Sequence, residues 1–320
     1  MTLSISTLSL PAFAKINLSL RVLGKRADGY HHLDTIVQTV SLHDTLKFEA
    51  TNDSEIVLEC DDHSLPTGPR NLVYRAARAL QDRLAAKNGA ARSLADCLVP
   101  RGARIRLQKR IPAQAGLGGG SSDAAVTLIG LARLWQLRPT KEDLLAIASQ
   151  LGADVPLFLL GGTTWGTGIG DKVEPLAGLP KKSLLIVKPN ANVNTSDAYK
   201  ALDERSLTTQ NSKTILSTSP RSKVFDRADF ASLTNDFEVV AFDLAPEIRR
   251  AKTALLKAGA NAALLAGSGS AVWGMFDSEE AQRRAIQAIE LETGWRVFPC
   301  RTVGRDEYEA AMHGLRQLLM

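Results

Sequence analysis

The chain has 320 residues, 44% of them hydrophobic, which is enough for two domains with well-formed cores. Its 39 basic and 34 acidic side chains leave a net charge of +5, which suits anionic substrates, while the lack of an arginine-rich tract argues against a nucleic-acid-binding protein. The cysteines, Cys60, Cys97 and Cys300, form no CxxC pair that would suggest zinc or a disulfide framework.

Alternating apolar residues predict two strands at the N terminus. The first covers residues 3–10 and ends at Pro11. The second covers residues 15–22, where the polar side chains share one face and make Lys15 and Asn17 neighbours. From this strand alone, an ordinary solvated face is the simpler interpretation of the pair.

A turn at the DG dipeptide separates this strand from a predicted strand over residues 33–40. Tyr30, His31 and His32 lie between them, and we reject a metal site there because adjacent strand residues point to opposite faces. A strand, a helix and a second strand are then predicted over residues 56–58, 71–86 and 104–107.

The stretch at residues 116–125, GLGGGSSDAA, leads into a helix with apolar residues every three or four positions. Glycine permits positive φ and close approach of an anion, and the first amides of a helix carry partial positive charge, so the stretch predicts a phosphate site. Ser121 or Ser122 could cap the helix. Asp123 would repel phosphate unless it points away. A plain turn with a capping serine is the simpler alternative.

The next helix is predicted to begin with a cap at Thr140 and Asp143 and to end at Gly152. Asp154 precedes the apolar segment VPLFLL, which we interpret as a strand. From its local pattern Asp154 is a turn residue or a functional group, with a slight preference for the first. A glycine-rich stretch over residues 161–170 is a candidate connection between two halves of the chain.

The second half is predicted to alternate strands and helices after a long polar segment. Residues 201–230 are interpreted as largely a mobile surface loop. Strands are predicted over residues 184–187, 262–265, 271–276 and 295–300. Helices are predicted on both sides of Pro246 within residues 235–254, over residues 279–290, and from Asp306 onward.

Several common phosphate-binding motifs are absent from the sequence. No GxxxxGK[ST] occurs, which excludes a P-loop NTPase, and Ser121 stands where GxGxxG requires its third glycine. The protein-kinase signatures HRD and DFG are also missing. A less common nucleotide-binding loop remains.

Five blocks, in chain order, carry a resemblance to a known family. They are PAFAKINLSL at 11–20, ADGYHHLDT at 27–35, IPAQAGLGGGSSDAA at 111–125, LGADVPLF at 151–158 and AGSGSAVWGMF at 266–276. Together they resemble the GHMP kinases, and AKINL, DGYH and GADVP are similar to the subgroup that phosphorylates a cytidine diphosphate alcohol for isoprenoid synthesis by the non-mevalonate route.

The resemblance implies a two-domain α/β (α+β) GHMP kinase fold. An N-terminal domain over residues 1–165 would resemble ribosomal protein S5 domain 2, and a ferredoxin-like C-terminal domain would cover residues 166–320. ATP and a small-molecule substrate would meet in the cleft between them, with no nucleic-acid partner, in a monomer or homodimer. No apolar run approaches the roughly 20 residues of a membrane span and the N terminus lacks a basic signal-peptide start, so we expect a cytoplasmic protein without a membrane span or a signal peptide.

The resemblance also implies ATP-dependent phosphorylation of the hydroxyl at position 2 of a methylerythritol unit. Asp154 would be the catalytic base and Lys15 its charged neighbour. Tyr30 and Tyr199 would stack on the cytosine, and His31 would form hydrogen bonds with it. Asn17 and Thr195 are the other implied substrate contacts. The alternative is another GHMP kinase, of the homoserine or mevalonate type. Tyr30, His31 and Tyr199 distinguish the two, because a substrate without a base would not need them.

For the nucleotide, the resemblance implies ATP and Mg²⁺ at the glycine-rich stretch. The phosphates would be held by the amides of Gly116, Leu117, Gly118, Gly119, Gly120, Ser121 and Ser122. Asn71 and Lys109 would lie near the adenosine. Mg²⁺ would bridge the β- and γ-phosphates near a serine at the end of the stretch, with the choice between Ser121 and Ser122 open.

Overall fold

The computed structural model describes residues 7–88, 101–208, 233–290 and 292–313, which form two β-sheets with helices packed on them. The strands of the first sheet are β1 (Thr7–Lys25), β2 (His31–Thr51), β3 (Ile56–Cys60), β4 (Gly102–Gln108), β5 (Thr163–Thr167) and β6 (Lys172–Pro175). Those of the second are β7 (Ser183–Lys188), β8 (Ala262–Leu265), β9 (Val272–Phe276) and β10 (Arg296–Arg301). The helices are α1 (Leu72–Asn88), α2 (Gly119–Leu134), α3 (Lys141–Leu151), α4 (Thr195–Thr208), α5 (Glu238–Leu244), α6 (Pro246–Lys257), α7 (Glu279–Ile289) and α8 (Arg305–Ala311).

The first sheet has the strand order β3, β4, β2, β5, β6, with β1 paired to β2. The predicted end of a strand at Pro11 is wrong, because β1 continues through Pro11 to Lys25. β1 pairs with β2 along nearly its whole length and lies at the edge of the sheet, where a proline costs little if no neighbour requires its missing N–H. Residues 3–6 of the predicted strand lie outside the described part of the chain.

The helices α1, α2 and α3 share one hydrophobic core with the first sheet. Phe48 of β2 and Leu107 of β4 belong to the same buried cluster as Leu80, Leu128 and Leu144 from the three helices. The predicted cap of α3 is confirmed. Its N-cap hydroxyl and its third residue form a reciprocal capping box, which satisfies two helix-end amides.

Two local predictions in this half are wrong. The helix α2 has Gly118 as its N-cap residue, in the left-handed region with φ of 71°, so Ser121 and Ser122 lie inside the first turn and cap nothing. The segment after Asp154 is a short 3-10 helix, Pro156–Leu159, and not a strand. Proline fits the first turn of a helix because it lacks the N–H that would be unpaired there, and all four residues are buried.

The second sheet has the antiparallel order β10, β7, β9, β8. The helices α6 and α7 pack on one face, through Ile248, Leu255 and Ile289. The opposite face contacts the first sheet, because Ile16 of β1 and Trp273 of β9 belong to one buried cluster. Among helices in the described part of the chain, none is long and apolar enough to cross a membrane.

The connection between the sheets differs from the sequence interpretation in one place. The glycine-rich stretch over residues 161–170 contains β5, which pairs with β2 in the first sheet, so the expected boundary at residue 165 falls within a strand. That boundary stays a prediction. Residues 201–208 belong to α4, so the predicted loop over 201–230 is wrong there, and its remainder, from residue 209, lies outside the described residues.

Candidate active site

A cavity of about 790 Å³ opens between the two sheets. The sequence-predicted residues that line it are Lys15, Asn17, Tyr30, His31, Gly116, Gly118, Ser121, Asp154, Thr195 and Tyr199. They come from β1, the turn before β2, β2 itself, the glycine-rich stretch, the segment after α3, and α4. The fold thus brings together residues that are far apart in the sequence. Their chemical roles are not tested by this placement.

Lys15 and Asp154 meet at the floor of this cavity. The Nζ atom of Lys15 lies 3.8 Å from Oδ2 of Asp154, and the Lys15 side chain is 5% exposed while that of Asp154 is 43% exposed. A buried ammonium beside a half-exposed carboxylate places fixed positive charge next to an oxygen that a substrate can reach. This arrangement suits proton removal from a hydroxyl and stabilisation of the oxygen that results.

The side chain of Asn17 is held at both ends by protein groups. Its Oδ1 accepts hydrogen bonds from Lys15 Nζ at 2.8 Å and from the amide of Gly267 at 3.0 Å. Its Nδ2 donates to Thr35 Oγ1 at 2.8 Å. These contacts fix the position of Lys15 and join β1 to the loop after β8. A direct contact of Asn17 with substrate stays a prediction.

The glycine-rich stretch packs directly on the GSGS loop at residues 267–270. Gly116 has φ of 76°, and a Cβ atom there would lie 1.9 Å from the carbonyl oxygen of Ala266. The amide of Lys15 also donates to the carbonyl of Leu117 at 3.0 Å. The stretch therefore packs between β1 and the loop after β8. Position 116 requires glycine because a Cβ atom would clash with Ala266 and because the backbone has a positive φ there.

A second cavity, of about 370 Å³, lies on the other side of this stretch. Its lining includes Asn71, Lys109, Gly119 and Gly120, together with Gly116, Leu117, Gly118 and Ser121. Ser121 lines both cavities, whereas Ser122 is fully buried and its hydroxyl has no hydrogen-bond partner in the described structure. Of the two serines, Ser121 is the one that a ligand can reach.

The two residues expected near the adenosine also have structural partners. Asn71 caps α1, since its Oδ1 accepts from the amide of Val73 at 2.9 Å. Lys109 Nζ contacts Asp44 Oδ2 at 2.5 Å and Asp123 Oδ2 at 2.9 Å, and both carboxyl groups are buried. Asp123 thus pairs with Lys109, and it also lines the second cavity. Burial lowers the pKa of Lys109, but the two acidic neighbours outweigh it and raise the pKa above its ordinary value.

The aromatic residues also line the main cavity. The rings of His31 and Tyr199 are stacked, with centroids 4.7 Å apart and an interplanar angle of 18°. Burial, with a smaller contribution from the charge of Asp154, raises the pKa of Tyr199 to about 12, so its hydroxyl keeps its proton at neutral pH. Tyr30 is 60% exposed at the rim. Stacking of Tyr30 and Tyr199 on a base stays a prediction.

Sequence reasoning missed several polar residues that line this cavity, among them Asp203 and Ser268. Asp203 contacts His31 Nε2 through Oδ1 and Lys25 Nζ through Oδ2, both at 2.6 Å. Ser268 shares a hydrogen bond of 2.9 Å with Thr195. Asp203 had a sequence signal, since it follows Thr195 and Tyr199 at steps of four residues, but the region was interpreted as a loop. Ser268 had none beyond its glycine neighbours.

Among the described residues, no group of three or more His, Cys, Asp or Glu side chains could hold a metal ion. Cys60 and Cys300 are free thiols, and Cys97 lies outside the described residues. Burial raises the pKa of both described thiols above the ordinary value. They are therefore neutral at physiological pH.

Two family models match the chain, the GHMP kinases N terminal domain over residues 71–162 and the GHMP kinases C terminal domain over residues 222–293. The chain is 42% identical to the 4-diphosphocytidyl-2-C-methyl-D-erythritol kinase of Solibacter usitatus, over 94% of this chain and 90% of that protein. It is 38% identical to the kinase of the same name from Syntrophotalea carbinolica, over 89% of this chain and 95% of that protein.

Solved structures agree with these matches. A crystal structure of 4-(cytidine 5'-diphospho)-2C-methyl-D-erythritol kinase has a TM-score of 0.75 and 34% identity, and the alignment covers 93% of this chain and all of that one. A homoserine kinase from Cytophaga hutchinsonii has a TM-score of 0.67 at 19% identity, over 94% of this chain and 96% of that chain, which shows the fold alone. The expected two-domain fold is confirmed, and the chain belongs to the GHMP kinases, in the family of the 4-diphosphocytidyl-2-C-methyl-D-erythritol kinases.

Proposed function

We propose that this protein transfers the γ-phosphate of ATP to the hydroxyl at position 2 of 4-diphosphocytidyl-2-C-methyl-D-erythritol, a step toward isoprenoid precursors. The observation that carries the proposal is the meeting of Lys15 and Asp154 in a cavity that the glycine-rich stretch, His31 and Tyr199 also line. A kinase for a cytidine-bearing alcohol needs both groups of residues in one cavity.

Asp154 acts as the proton acceptor in this proposal. Its carboxylate is half-exposed to the cavity, so an acceptor hydroxyl can approach it, and the ammonium of Lys15 lies 3.8 Å away. As the hydroxyl proton leaves, negative charge grows on the attacking oxygen, and Lys15 stabilises it. Because Lys15 is fixed by Asn17, little reorganisation accompanies the transfer.

The glycine-rich stretch holds the phosphates of ATP. Its backbone amides stand at the N terminus of α2, where the helix dipole favours an anion. Adenosine then occupies the second cavity, beside Asn71 and Lys109. Ser121, which faces both cavities, lies where the transferred phosphate would pass between them.

The oxygen donor at this point fits Mg²⁺. The hydroxyl of Ser121 is open to both cavities, and Mg²⁺ prefers oxygen ligands, with phosphate and water completing its shell. Mg²⁺ would neutralise charge on the β- and γ-phosphates. Ser122 does not fit this role, since its side chain is completely buried.

A coupled assay of ATP consumption over a panel of alcohols tests the proposal. We expect turnover with 4-diphosphocytidyl-2-C-methyl-D-erythritol and kcat/KM values lower by a factor of at least about 1,000 for homoserine and mevalonate, because neither carries a base to contact His31 and Tyr199. Product analysis by phosphorus NMR locates the new phosphate ester. Equal turnover with homoserine or mevalonate would contradict the proposed substrate.

A further inference from the structure

Five polar residues of α4 line the main cavity, and three of them, Thr195, Tyr199 and Asp203, follow one another at intervals of four. Residues four apart share one face of a helix, so the three form a single row along the cavity wall. Thr195 lies at the helix start, near Ser268, and Asp203 lies two turns further on, beside His31. The last member of this row has no role in the mechanism given above.

Both carboxylate oxygens of Asp203 are engaged by the hairpin between β1 and β2. Oδ1 contacts Nε2 of His31 and Oδ2 contacts Nζ of Lys25, each at 2.6 Å. The hydrogen bond from Lys25 and that from His31 lower the pKa of Asp203 below 3.8, so it is ionised at neutral pH. An ionised carboxylate only accepts hydrogen bonds, and Nε2 of His31 must therefore carry a hydrogen.

This contact decides what the imidazole can offer a ligand. With Nε2 engaged by Asp203, any in-plane contact between the His31 ring and a ligand uses Nδ1, which in the neutral ring only accepts a hydrogen bond. Cytosine presents an amino group at position 4, which donates, whereas uracil has a carbonyl there, which does not. A His31 ring that carries its hydrogen on Nε2 and presents Nδ1 as an acceptor is complementary to the first base and not to the second.

We propose that Asp203 is a positioning residue that fixes the ring and tautomer of His31. The Nδ1 atom of His31 then accepts a hydrogen bond from the amino group of cytosine, and uracil, which has no such donor, binds less well. The inference rests on the proposed function, because it concerns the cytidine end of that substrate. The stacked ring of Tyr199 holds the same imidazole from its face. Asp203 and Tyr199 together restrain His31 in two perpendicular directions.

An ordinary structural ion pair is the competing explanation. The Lys25 side chain is 56% exposed, and an exposed pair of this kind contributes little to stability. The His31 contact differs, since the His31 side chain is only 7% exposed and that of Asp203 is 28% exposed. A structural role predicts loss of stability without a change in base preference, whereas positioning predicts a change in binding of one substrate only.

The test compares Asp203→Ala, Asp203→Asn and the control Glu204→Ala, which alters an exposed neighbour on the same helix that does not line the cavity. Alanine favours a helix more than aspartate does, so α4 is retained, and thermal unfolding checks this. Steady-state kinetics give KM for the cytidine substrate and for ATP. The uridine analogue of the substrate gives the base preference, and calorimetry with free CDP and UDP measures binding without turnover.

We expect Asp203→Ala to raise KM for the cytidine substrate by about tenfold, as for loss of one charged hydrogen bond, with KM for ATP and kcat changed less than about twofold. Its preference for cytidine over uridine should fall. Asp203→Asn should restore most of the wild-type KM for the cytidine substrate and most of the base preference, because the amide oxygen still accepts a hydrogen bond from Nε2. Glu204→Ala should match the wild type in both quantities.

An unchanged base preference and CDP affinity in Asp203→Ala would overturn the inference, as would equal increases in both KM values. Failure of the proposed function looks different. The wild-type protein would then show no turnover with the cytidine diphosphate alcohol, whatever the Asp203 variants do to the binding of CDP.

Discussion

Lys109 is held between two buried acidic residues, Asp44 and Asp123, below the glycine-rich stretch. Burial raises the pKa of Asp123 from 3.8 to about 8, with the attraction of Lys109 opposing the shift and the charge of Asp44 adding to it. Near neutral pH, Asp123 is therefore protonated. Lys109, Asp44 and Asp123 together therefore carry less negative charge than they would with both carboxyl groups ionised. The expected repulsion of phosphate by Asp123 is removed.

This protonation predicts a pH-dependent contribution to stability. The folded protein holds a proton on Asp123 up to about pH 8, whereas the unfolded chain releases it near pH 3.8. The contribution is fully present below pH 3.8 and is lost as the pH rises to about 8, by up to about 1.4 kcal/mol per pH unit.

The measurement compares wild type with Asp123→Asn, which cannot ionise. We expect the free energy of unfolding of the wild type, relative to the variant, to decrease between pH 4 and pH 8 in urea titrations, and to be constant above about pH 8. A difference that is independent of pH over this range would show that Asp123 is ionised in the folded state.

Removal of the proposed base is the second prediction at this scale. Asp154→Asn keeps the shape of the side chain but cannot accept a proton, so kcat should fall by about 100- to 10,000-fold while KM for both substrates stays near wild type. Asp82→Asn, an exposed change on α1, is the control. A kcat near that of the wild type would exclude Asp154 as the base.

The contact between the glycine-rich stretch and the GSGS loop belongs to the scale of elements. Gly116→Ala would place a Cβ atom 1.9 Å from a backbone oxygen and would impose a positive φ on alanine. We expect the free energy of unfolding to fall by about 1–3 kcal/mol and KM for ATP to rise, because the stretch must shift. Urea unfolding and ATP titration measure the two effects.

Gly178→Ala is the matched control, since a Cβ atom there meets nothing within 4 Å. It should change the free energy of unfolding by less than about 0.5 kcal/mol. If Gly116→Ala behaves like Gly178→Ala, the two loops are not rigidly packed on each other.

Elements with strong local signals could be predicted from the sequence, and those decided by tertiary contacts could not. The capping box of α3 and the strands around the GSGS loop follow from short-range chemistry. Pro11 was taken as a strand end because the sequence does not show that β1 is an edge strand. VPLFLL was taken as a strand because a short buried apolar run looks the same in a strand and in a helix.

The candidate site divides in the same way. The glycine-rich stretch was recognised from its composition, and the remaining residues followed from the resemblance to a family. Asp44 and Asp203 were missed because their partners, Lys109 and His31, lie 65 and 172 residues away in the chain. Contacts of this kind exist only after folding, so the spacing of four residues between Thr195, Tyr199 and Asp203 could indicate a shared helix face but not the contact with His31.

At the scale of the whole molecule, one buried cluster joins the two sheets. Ile16 and Ile36 of the first sheet and Leu184, Ile186 and Trp273 of the second belong to it. The Trp273 indole also donates to the backbone carbonyl of Asn17 at 3.2 Å. Each domain alone would expose this apolar surface to water, so neither has a complete core by itself.

We therefore expect the protein to unfold in one cooperative transition. The calorimetric and van 't Hoff enthalpies of heat unfolding should agree. Ile186→Ala should lower the free energy of unfolding by about 2–5 kcal/mol and shift the whole transition without splitting it. Two separate transitions in the wild type would show that the domains unfold independently.

The shared wall between the two cavities has a consequence for ligand design. Gly116, Gly118 and Ser121 line both cavities, so the two occupants are separated by little more than the thickness of one loop. A single compound that tethers an adenosine-like group to a cytidine-like group across Ser121 would engage both, and its second half would bind intramolecularly. Such tethering typically strengthens binding by about 100- to 10,000-fold over either half, provided that the linker spans the wall.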